Sequence, residues 1–501
     1  MKRVLMAVII VVMLMGISVS ANNPIIKEDD TGNRVYTGDP AAIVVGDTVY
    51  LFCGHDTSSR ETYEMPEYLC YSSKDMVNWK YEGIPMSARD FPWGKAIDSW
   101  AGEVEYYKGR YYFFMCKNST GISVGVSDNI TGPYKDHLNG KKLVEPGWTK
   151  GKVGWDDIDP TVWVENDENG VEHRYIMWGN SNLYIAELNE EMNSLVDLNG
   201  DGKVNGGDIT ELFIEKMPEG TTFTEAPWIY KRGDLYYVFF ANNWHEELSY
   251  ATSSSVTGPY TYGGKIMPAG ASSNTNHPSV IDFKGKTYIF YHTGAMEHGS
   301  GYRRSICVDE LKFNSDGSID MFYESSVGVD GTKVYISPVS NKEKKLYHGY
   351  FPYTTEPTAY PQGSLVYCDD FTINNTDYEW EIVEGRGDEN YVSIQSVNKM
   401  GYFITNFRGH IKLIHDNDGL PETAYSMTFI EHKGLCGEGV SYESLNERGK
   451  YLTVKDDRLI LTDGSDKDAS SFILTETGEA SLKIKTEFIL QKILSVREGV
   501  K

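Results

Sequence analysis

Residues 37–55 read TGDPAAIVVGDTVYLFCGH and contain two β-strand patterns separated by a Gly-Asp turn. The runs AAIVV and TVYLFC are rich in β-branched and aromatic residues, which favour strands. An acidic residue, Asp39, stands where the first strand begins. A simple hairpin needs no carboxylate at that position, so the meaning of Asp39 depends on whether the pattern recurs.

The second strand pattern recurs four more times before residue 330. Its five copies are GDTVYLFCG at 46–54, KGRYYFFMC at 108–116, HRYIMWG at 173–179, GDLYYVFFA at 233–241 and GKTYIFYHTG at 285–294. Their tyrosines, Tyr50, Tyr112, Tyr175, Tyr237 and Tyr288, are 62, 63, 62 and 51 residues apart. A repeat of this length, with turn signals and almost no helical period, is typical of a radial β-array. The sequence therefore predicts an all-β fold with a five-bladed β-propeller over residues 30–335.

A second set of segments precedes these copies, and each would form the innermost strand of a blade. The segments are GDPAAIVV, WAGEVEYY, IDPTVWVE, TEAPWIYK and NHPSVIDF. Four of them begin with a chemically active residue: Asp39, Asp159, Glu225 and His277. Innermost strands surround the central channel, so we expect these residues to converge at one end of it. Crowded carboxylates raise one another's pKa, which suits the acid and base of glycoside hydrolysis.

Composition and charge limit the partners. The chain has 501 residues, 40% apolar and 13% aromatic, and a formal charge of −25. That charge disfavours nucleic acid and anionic membranes as partners, while neutral polymers remain open. Residues 1–21 have a basic start, an apolar run and a small-residue cleavage pattern, which predict a signal peptide and a secreted protein rather than a membrane anchor. The six cysteines show no metal-ligand spacing, and we expect buried free thiols.

The propeller region resembles glycoside hydrolase family 43, a family of five-bladed, inverting enzymes. The matching stretches, in order, are TGDPAAIV, WDDIDPTVWV, TEAPWIYKRGDLYYVFFA, NHPSVIDFKGKTYIFYHTGA and GYRRSICVDEL. The resemblance implies that Asp39 is the general base, Glu225 the general acid and Asp159 the carboxylate that tunes the acid. It also implies a histidine that helps to hold an ion, often calcium, at His277. An arginine near the active site matches Arg304, although Arg303 is adjacent.

The substrate class follows from the same resemblance. The stretches GHDTSSRETYEMPEYLCYSSKDMVNWKYEG and NSNLYIAELNEEM look most like arabinoxylan-acting members. They imply an exo-acting enzyme that removes α-L-arabinofuranosyl residues from arabinoxylan-type polysaccharide. A β-xylosidase with the same carboxylates, or a non-catalytic carbohydrate-binding protein, stays open. Trp93, Trp100 and Trp155 are candidates for a sugar platform, with packing between blades as the alternative.

An acidic loop at 197–208 reads DLNGDGKVNGGD. The side chains of Asp197, Asn199, Asp201, Asn205 and Asp208, with the carbonyl of Lys203, fall at EF-hand ligand positions. The loop resembles one dockerin calcium repeat, which predicts a structural calcium site; a solvated Asx-rich turn is the alternative. Dockerins carry two repeats, so we do not expect cohesin binding. No cofactor is expected for the chemistry itself.

The last third of the chain has a different pattern. Residues 336–385 are predicted to be a linker or a wrapping strand, and 386–501 a β-trefoil-like domain. Two similar units start at Val392 and Val440, and they resemble carbohydrate-binding module family 42. The family's histidine is absent after Tyr402 and after Tyr451, while His410, His415, Asp457 and Asp463 lie nearby. A third unit is not apparent, so either upstream strands complete the trefoil or the domain is incomplete. Arabinose binding and a purely structural role both stay open.

Overall fold

The computed structural model describes residues 23–477, apart from 30, 118–119, 152–153, 350–363, 372–374 and 417. The signal peptide predicted for residues 1–21 lies outside this part of the chain. Within the described ranges, no helix is both long and apolar enough to span a membrane. All six cysteines are free thiols, and five of them are buried, as the sequence predicted.

Five sheets form the blades of a propeller, and all of their strand pairs but one are antiparallel. Blade 1 contains β1 Thr37–Val45, β2 Thr48–His55, β3 Glu67–Ser73 and β4 Lys80–Ser87. Blade 2 contains β5 Ser99–Tyr107, β6 Arg110–Lys117, β7 Gly121–Ser127 and β8 Lys135–Asp136. Blade 3 contains β9 Thr161–Asn166, β10 Glu172–Trp178, β11 Leu183–Glu187 and β12 Thr210–Leu212.

The last two blades depart from four strands. Blade 4 contains β14 Phe223–Arg232, β15 Leu235–Asn242, β16 Glu247–Ser253 and β17 Tyr260–Met267, and the short β13 Ile214–Glu215 pairs with β17 in parallel. Blade 5 contains β18 Ser279–Phe283, β19 Lys286–Thr293 and β20 Ser305–Glu310. Single-turn 3-10 helices lie at Ala88–Asp90 and Gly206–Asp208. The five repeated tyrosines lie in the second strands, so the predicted five-bladed propeller is confirmed.

The first strands of the blades surround the central axis. β1, β5, β9, β14 and β18 contact one another in a closed ring. The N-terminal segment closes the circle, because the amides of Ile25 and Thr37 donate to the carbonyls of Ile306 and Arg304 beside blade 5. Aromatic side chains such as Phe113, Phe239 and Phe290 are fully buried between blades. This packing explains why the second strands are so aromatic.

A second domain follows the propeller as a 13-stranded sheet. Its strands are β21 Lys333–Pro338, β22 Lys344–Tyr347, β23 Ser364–Leu365, β24 Tyr367–Asp370, β25 Trp380–Glu384, β26 Val392–Ser396, β27 Tyr402–Phe407, β28 His410–His415, β29 Thr428–Lys433, β30 Val440–Ser444, β31 Tyr451–Lys455, β32 Arg458–Thr462 and β33 Phe472–Thr477. A 3-10 helix at Thr376–Tyr378 and the helix α1 Pro421–Ser426 lie in its loops.

The strand pairing is that of a trefoil with three units. Six strands, β21, β25, β26, β29, β30 and β33, pair in a closed ring. Three hairpins, β22–β24, β27–β28 and β31–β32, complete the three units. Trp380, Phe429, Tyr442 and Phe472 are buried in the shared core. The β-trefoil-like fold predicted from the sequence is therefore confirmed.

The segment 336–385 differs from our expectation of a linker. It supplies strands of the first trefoil unit, and Tyr347 pairs with Tyr367 in the first hairpin. The unit that we could not find in the sequence precedes the other two and begins at Lys333. Because β21 pairs with β33, the ring closes without residues 482–501, which lie outside the described residues. Of our two alternatives, completion by upstream strands is the one that the pairing supports.

Candidate active site

The residues that begin the first strands gather at one end of the channel. A cavity of about 660 Å³ is lined by Asp39, Asp159, Glu225 and Arg304. His277 is buried beside them, with Nδ1 3.7 Å from Oδ1 of Asp39. The structure thus brings the predicted carboxylates, the histidine and the arginine together.

Local backbone geometry aims the three carboxylates into the cavity. Asp39 and Asp159 have φ of 52° and 59°, and Ala226, next to Glu225, has φ of 59°. Non-glycine residues rarely adopt this left-handed conformation, and where they do it often marks a functional site. The pairing of β1 with β2 and of β14 with β15 also shifts register at these points, as in a β-bulge. A bulge turns a side chain away from the regular alternation of the strand.

Asp39 is held by a buried bidentate ion pair. Nη1 and Nη2 of Arg304 donate to Oδ1 and Oδ2 of Asp39 at 2.6 and 2.9 Å. Burial alone would raise the pKa of Asp39, but the charge and hydrogen bonds of Arg304 outweigh it and leave the pKa below its ordinary value. The Asp39 amide donates to Nδ1 of His292, which is a neutral acceptor because burial lowers its pKa to about 3. Asp39 is therefore ionised at neutral pH.

Two further residues shape the surroundings of Arg304, and neither was predicted from the sequence. Asp56, directly after β2, accepts from Nε and Nη2 of Arg304, both at 2.9 Å. Gly38 gives the guanidinium room, because a Cβ there would lie 2.3 Å from Cζ of Arg304. Arg303 is only partly exposed but points elsewhere, donating from Nε to the His298 carbonyl. Of the two adjacent arginines, Arg304 is the one in the site.

The pKa values of Glu225 and Asp159 are shifted in the opposite direction to the pKa of Asp39. Burial and the charge of Asp39 raise the pKa of Glu225 to about 7, although a hydrogen bond from Nδ2 of Asn180 at 2.5 Å opposes the shift. Burial and the charges of Glu225 and Asp39 raise the pKa of Asp159 well above its ordinary value. Oδ2 of Asp159 accepts from the amide of Ala226 at 3.0 Å, which ties it to the backbone that carries Glu225. One cavity thus holds an ionised carboxylate and a carboxyl group that keeps its proton near neutral pH.

The tryptophans divide between the cavity and the blade packing. Trp100 lines the cavity, and so do the exposed Trp155 and Trp244, at 45% and 65% exposure. Trp93 does not line it, because its ring packs against Phe91 and lies under the ammonium groups of two lysines. For Trp93, these contacts support the packing alternative. Trp244 was not predicted, because it lies in the turn after β15, outside the strand segments that repeat.

A family model described as "Glycosyl hydrolases family 43" matches residues 22–319. The chain belongs to glycosyl hydrolase family 43. A second model, the "Alpha-L-arabinofuranosidase B (ABFB) domain", matches residues 362–474 and thus most of the trefoil. Both resemblances stated from the sequence are confirmed, and the protein is a glycosidase of the arabinofuranosidase or xylosidase type.

Two relatives with named activities align with this chain. One alignment has about the length of the family 43 domain, and the other is longer. A "Xylosidase/arabinosidase" of Bacteroides ovatus is 29% identical over 329 residues, covering 57% of this chain and 94% of the relative. An "Arabinoxylan arabinofuranohydrolase" of Bacillus subtilis is 28% identical over 394 residues, covering 68% of this chain and 72% of the relative. A family 43 enzyme of Xanthomonas citri, solved with xylose, aligns with a TM-score of 0.50 and 23% identity over 59% of this chain and 92% of that chain. This last likeness supports the fold alone.

The sites at which the sequence predicts calcium are the loop 197–208 and the surroundings of His277. In the part of the chain that the structure describes, no group of three or more His, Cys, Asp or Glu is placed to hold a metal ion. In the loop 197–208, Oδ1 and Oδ2 of Asp197 accept from the amides of Gly200 and Gly202, both at 2.8 Å. Asp208 is buried and accepts from three loop amides. The geometry is that of an Asx-rich turn, so calcium binding by this loop, and at His277, stays a prediction.

Calcium binding by the loop can be tested by thermal unfolding. If the loop binds calcium, the ion stabilises the folded state by mass action, so Tm of the wild type rises by a few degrees relative to EDTA. Asp201→Ala should lose this rise, because its carboxylate occupies a ligand position. The control Asp234→Ala changes an exposed turn acid in blade 4 and should keep it. An equal Tm with calcium and with EDTA in the wild type would leave the loop as a turn.

Proposed function

We propose that the protein is a secreted, inverting glycoside hydrolase that removes α-L-arabinofuranosyl residues from arabinoxylan-type plant polysaccharide. The observation that carries this proposal is the pair of opposed carboxyl groups in one cavity. Asp39 is kept ionised by Arg304, while the pKa of Glu225 is raised to about 7. Two carboxyl groups whose environments separate their pKa values are the acid and base of a hydrolase.

In the proposed mechanism Glu225 is the acid. Its proton passes to the glycosidic oxygen as the bond to the anomeric carbon breaks, so the leaving sugar departs as a neutral alcohol. Asn180 holds one oxygen of the Glu225 carboxyl in place. Asp159, fixed to the amide of Ala226, keeps the proton on Glu225 through like-charge repulsion whenever it is itself ionised.

Asp39 is the base for the attacking water. It takes a proton from water on the face of the sugar opposite to Glu225, and the water oxygen bonds to the anomeric carbon with inversion. The carboxyl separation expected for such a water is about 6.5–9.5 Å. Arg304 keeps Asp39 ionised but makes it a weak base. The proton therefore moves from the water to Asp39 during the attack, as positive charge builds on the water oxygen, and not before the attack begins.

The substrate class rests on the relatives and on the second domain. The names of the relatives, xylosidase/arabinosidase and arabinoxylan arabinofuranohydrolase, support a pentose-bearing polymer as the proposed substrate. The ABFB-type trefoil is proposed to hold arabinose side chains of the same polymer. Trp155 and Trp244, exposed at the cavity, would stack on the pyranose rings of the main chain. Secretion follows from the predicted signal peptide at 1–21.

The test is the identity and the anomer of the first product. Wheat arabinoxylan, an aryl arabinofuranoside and an aryl xyloside are incubated with the enzyme, and the anomeric protons are followed by NMR before mutarotation. We expect arabinose, released first as the β-anomer from an α-linkage. Xylose as the main product would move the assignment to β-xylosidase, and an α-anomer of arabinose would contradict inversion. No sugar from any of the three would favour a non-catalytic carbohydrate-binding role.

A further inference from the structure

A fourth carboxyl group, Glu246, lies in the same cavity as Glu225 and has no role in the mechanism above. It lies in the turn between β15 and β16 and is only 1% exposed. Its Oε2 accepts from the amide of Asn276 at 2.7 Å, and its own amide donates to the carbonyl of Asn274 at 3.1 Å. The segment that leads into blade 5 thus holds this blade 4 side chain in a fixed position.

The side chain of Glu246 meets that of Glu225. The two carboxyl groups are close enough for a side-chain hydrogen bond between them to contribute to the pKa of each, and Nδ2 of Asn180 donates to Oε2 of Glu225 at 2.5 Å. Oε1 of Glu246 is buried and accepts no hydrogen bond from a donor among the described residues. Two ionised carboxylates cannot form such a bond, so one of them must carry a proton. Glu225 is therefore held between an amide donor from blade 3 and a carboxyl group from blade 4.

We propose that Glu246 is a positioning residue that stays protonated and donates its proton as a hydrogen bond to Glu225, which aims the general acid at the leaving oxygen. The inference rests on the proposed function, because it assigns Glu225 as the acid. Glu246 does not touch the reacting atoms; it acts through Glu225. The proton on Glu246 is not consumed, since the proton given to the leaving group comes from Glu225.

The surrounding charges support this proton distribution. Burial and the charge of Glu225 raise the pKa of Glu246 well above its ordinary value. The hydrogen bond from Glu246 lowers the pKa of Glu225, against burial and the charge of Asp39. The ionisable groups that face the pair are Asp39, Asp159, Tyr63 and Arg304. Asp39 and Asp159 both disfavour a second negative charge, which leaves Glu246 as a neutral donor.

The role of Glu246 differs from that of Asp159. Asp159 is tied to the backbone amide of Ala226 and affects Glu225 through charge. Glu246 contacts the Glu225 side chain itself and can fix its rotamer. Glu246 was not predicted from the sequence, because it lies in the turn after the second strand of blade 4, outside the starts of the first strands that were expected to converge.

The experiment compares Glu246→Gln with Glu246→Leu on two substrates of different leaving group. Gln keeps both hydrogen bonds, since its amide can donate to Glu225 and accept from Asn276; Leu keeps only the volume. Arabinoxylan has an alcohol leaving group that needs protonation, whereas an aryl arabinofuranoside with an acidic phenol needs little. For Glu246→Leu we expect kcat to fall about 10- to 100-fold on arabinoxylan and less than about 3-fold on the aryl substrate. Glu246→Gln should retain a much larger fraction of kcat on arabinoxylan than Leu.

The pH dependence of kcat/KM distinguishes a positioning role from a purely structural one, because a purely structural role would leave it unchanged. The alkaline limb of kcat/KM reports Glu225, which must be protonated, and the wild type should lose activity above about pH 7. Loss of the hydrogen bond in Glu246→Leu raises the pKa of Glu225, so this limb should move to higher pH. In Glu246→Gln the limb should stay near the wild-type position. If it instead moves to lower pH, Glu246 is ionised in the wild type and the proposal is overturned.

The remaining outcomes separate this inference from the function it rests on. An equal loss on both substrates in Glu246→Leu, with no change in the limb, overturns the positioning role and leaves the proposed function standing. A wild type that hydrolyses neither substrate overturns both. The matched control is Glu247→Gln, whose carboxylate pairs with Lys265 at 2.8 Å. That variant should stay within about twofold of wild type on both substrates.

Discussion

Asp39→Asn is expected to lower kcat on arabinofuranosides by about 10²- to 10⁴-fold, with KM little changed. The amide cannot take a proton from water, while its shape still fills the site beside Arg304. Initial rates on an aryl arabinofuranoside measure the effect. The control is Asp47→Asn, an exposed acid of the β1–β2 turn that contacts Lys74 and Thr48 at the surface, and it should behave as wild type. Near-normal turnover in Asp39→Asn would remove Asp39 as the base.

A second variant at the same position separates lost chemistry from lost structure. Asp39→Ala leaves space for a small anion, and azide needs no base in order to attack. Adding azide should therefore restore turnover on an activated aryl substrate and yield an arabinosyl azide of inverted configuration, with Glu225 still protonating the leaving group. No rescue, together with an unchanged melting temperature, would indicate that Asp39 does not stand at the face from which water attacks.

The repeat in the sequence predicted the propeller and the centre of the site for a physical reason. The five aromatic strands must each bury one face between blades. The pattern of aromatic residues is therefore contained within each strand and recurs along the sequence. The first strands must all start at the same end of the channel, so matched positions such as Asp39, Asp159 and Glu225 converge. These two rules needed no knowledge of contacts between distant residues.

Other site residues and the start of the trefoil could not be predicted from the sequence, because they depend on contacts that do not recur from blade to blade. Asp56 reaches Arg304 from the residue directly after β2, and Glu246 lies beside Glu225 from the turn after β15; neither belongs to the first strands whose starts were expected to converge. Trp93 and Trp100 are the same residue type, and only their contacts distinguish them: Trp93 packs against Phe91, whereas Trp100 lines the cavity. The start of the trefoil at Lys333 was hidden because β21 finds its partner in β33, at the far end of the domain. Long-range pairing of this kind leaves no local signal.

Arg304→Met is expected to lower the free energy of unfolding by about 3–5 kcal/mol and to reduce kcat strongly. Arg304 is 3% exposed and is the cation between Asp39 and Asp56, so its loss leaves two buried carboxylates without a counter-charge. Methionine fills the volume, so the effect measures charge rather than a cavity. Urea unfolding and initial rates give the two quantities. Arg303→Met, the neighbouring residue outside the site, should change both by little.

The pH dependence of this variant distinguishes charge from packing. In the wild type Arg304 holds the pKa of Asp39 below its ordinary value, so the stability from this pair is present at neutral pH and is lost as pH falls through that pKa. Without Arg304 the pKa of Asp39 rises, and at low pH the carboxyl groups protonate and lose their repulsion. The deficit in unfolding free energy should therefore be largest near pH 7 and shrink towards pH 4, while the acid limb of activity moves to higher pH. A deficit independent of pH would mean that Arg304 acts through packing, and that something other than its charge keeps Asp39 ionised.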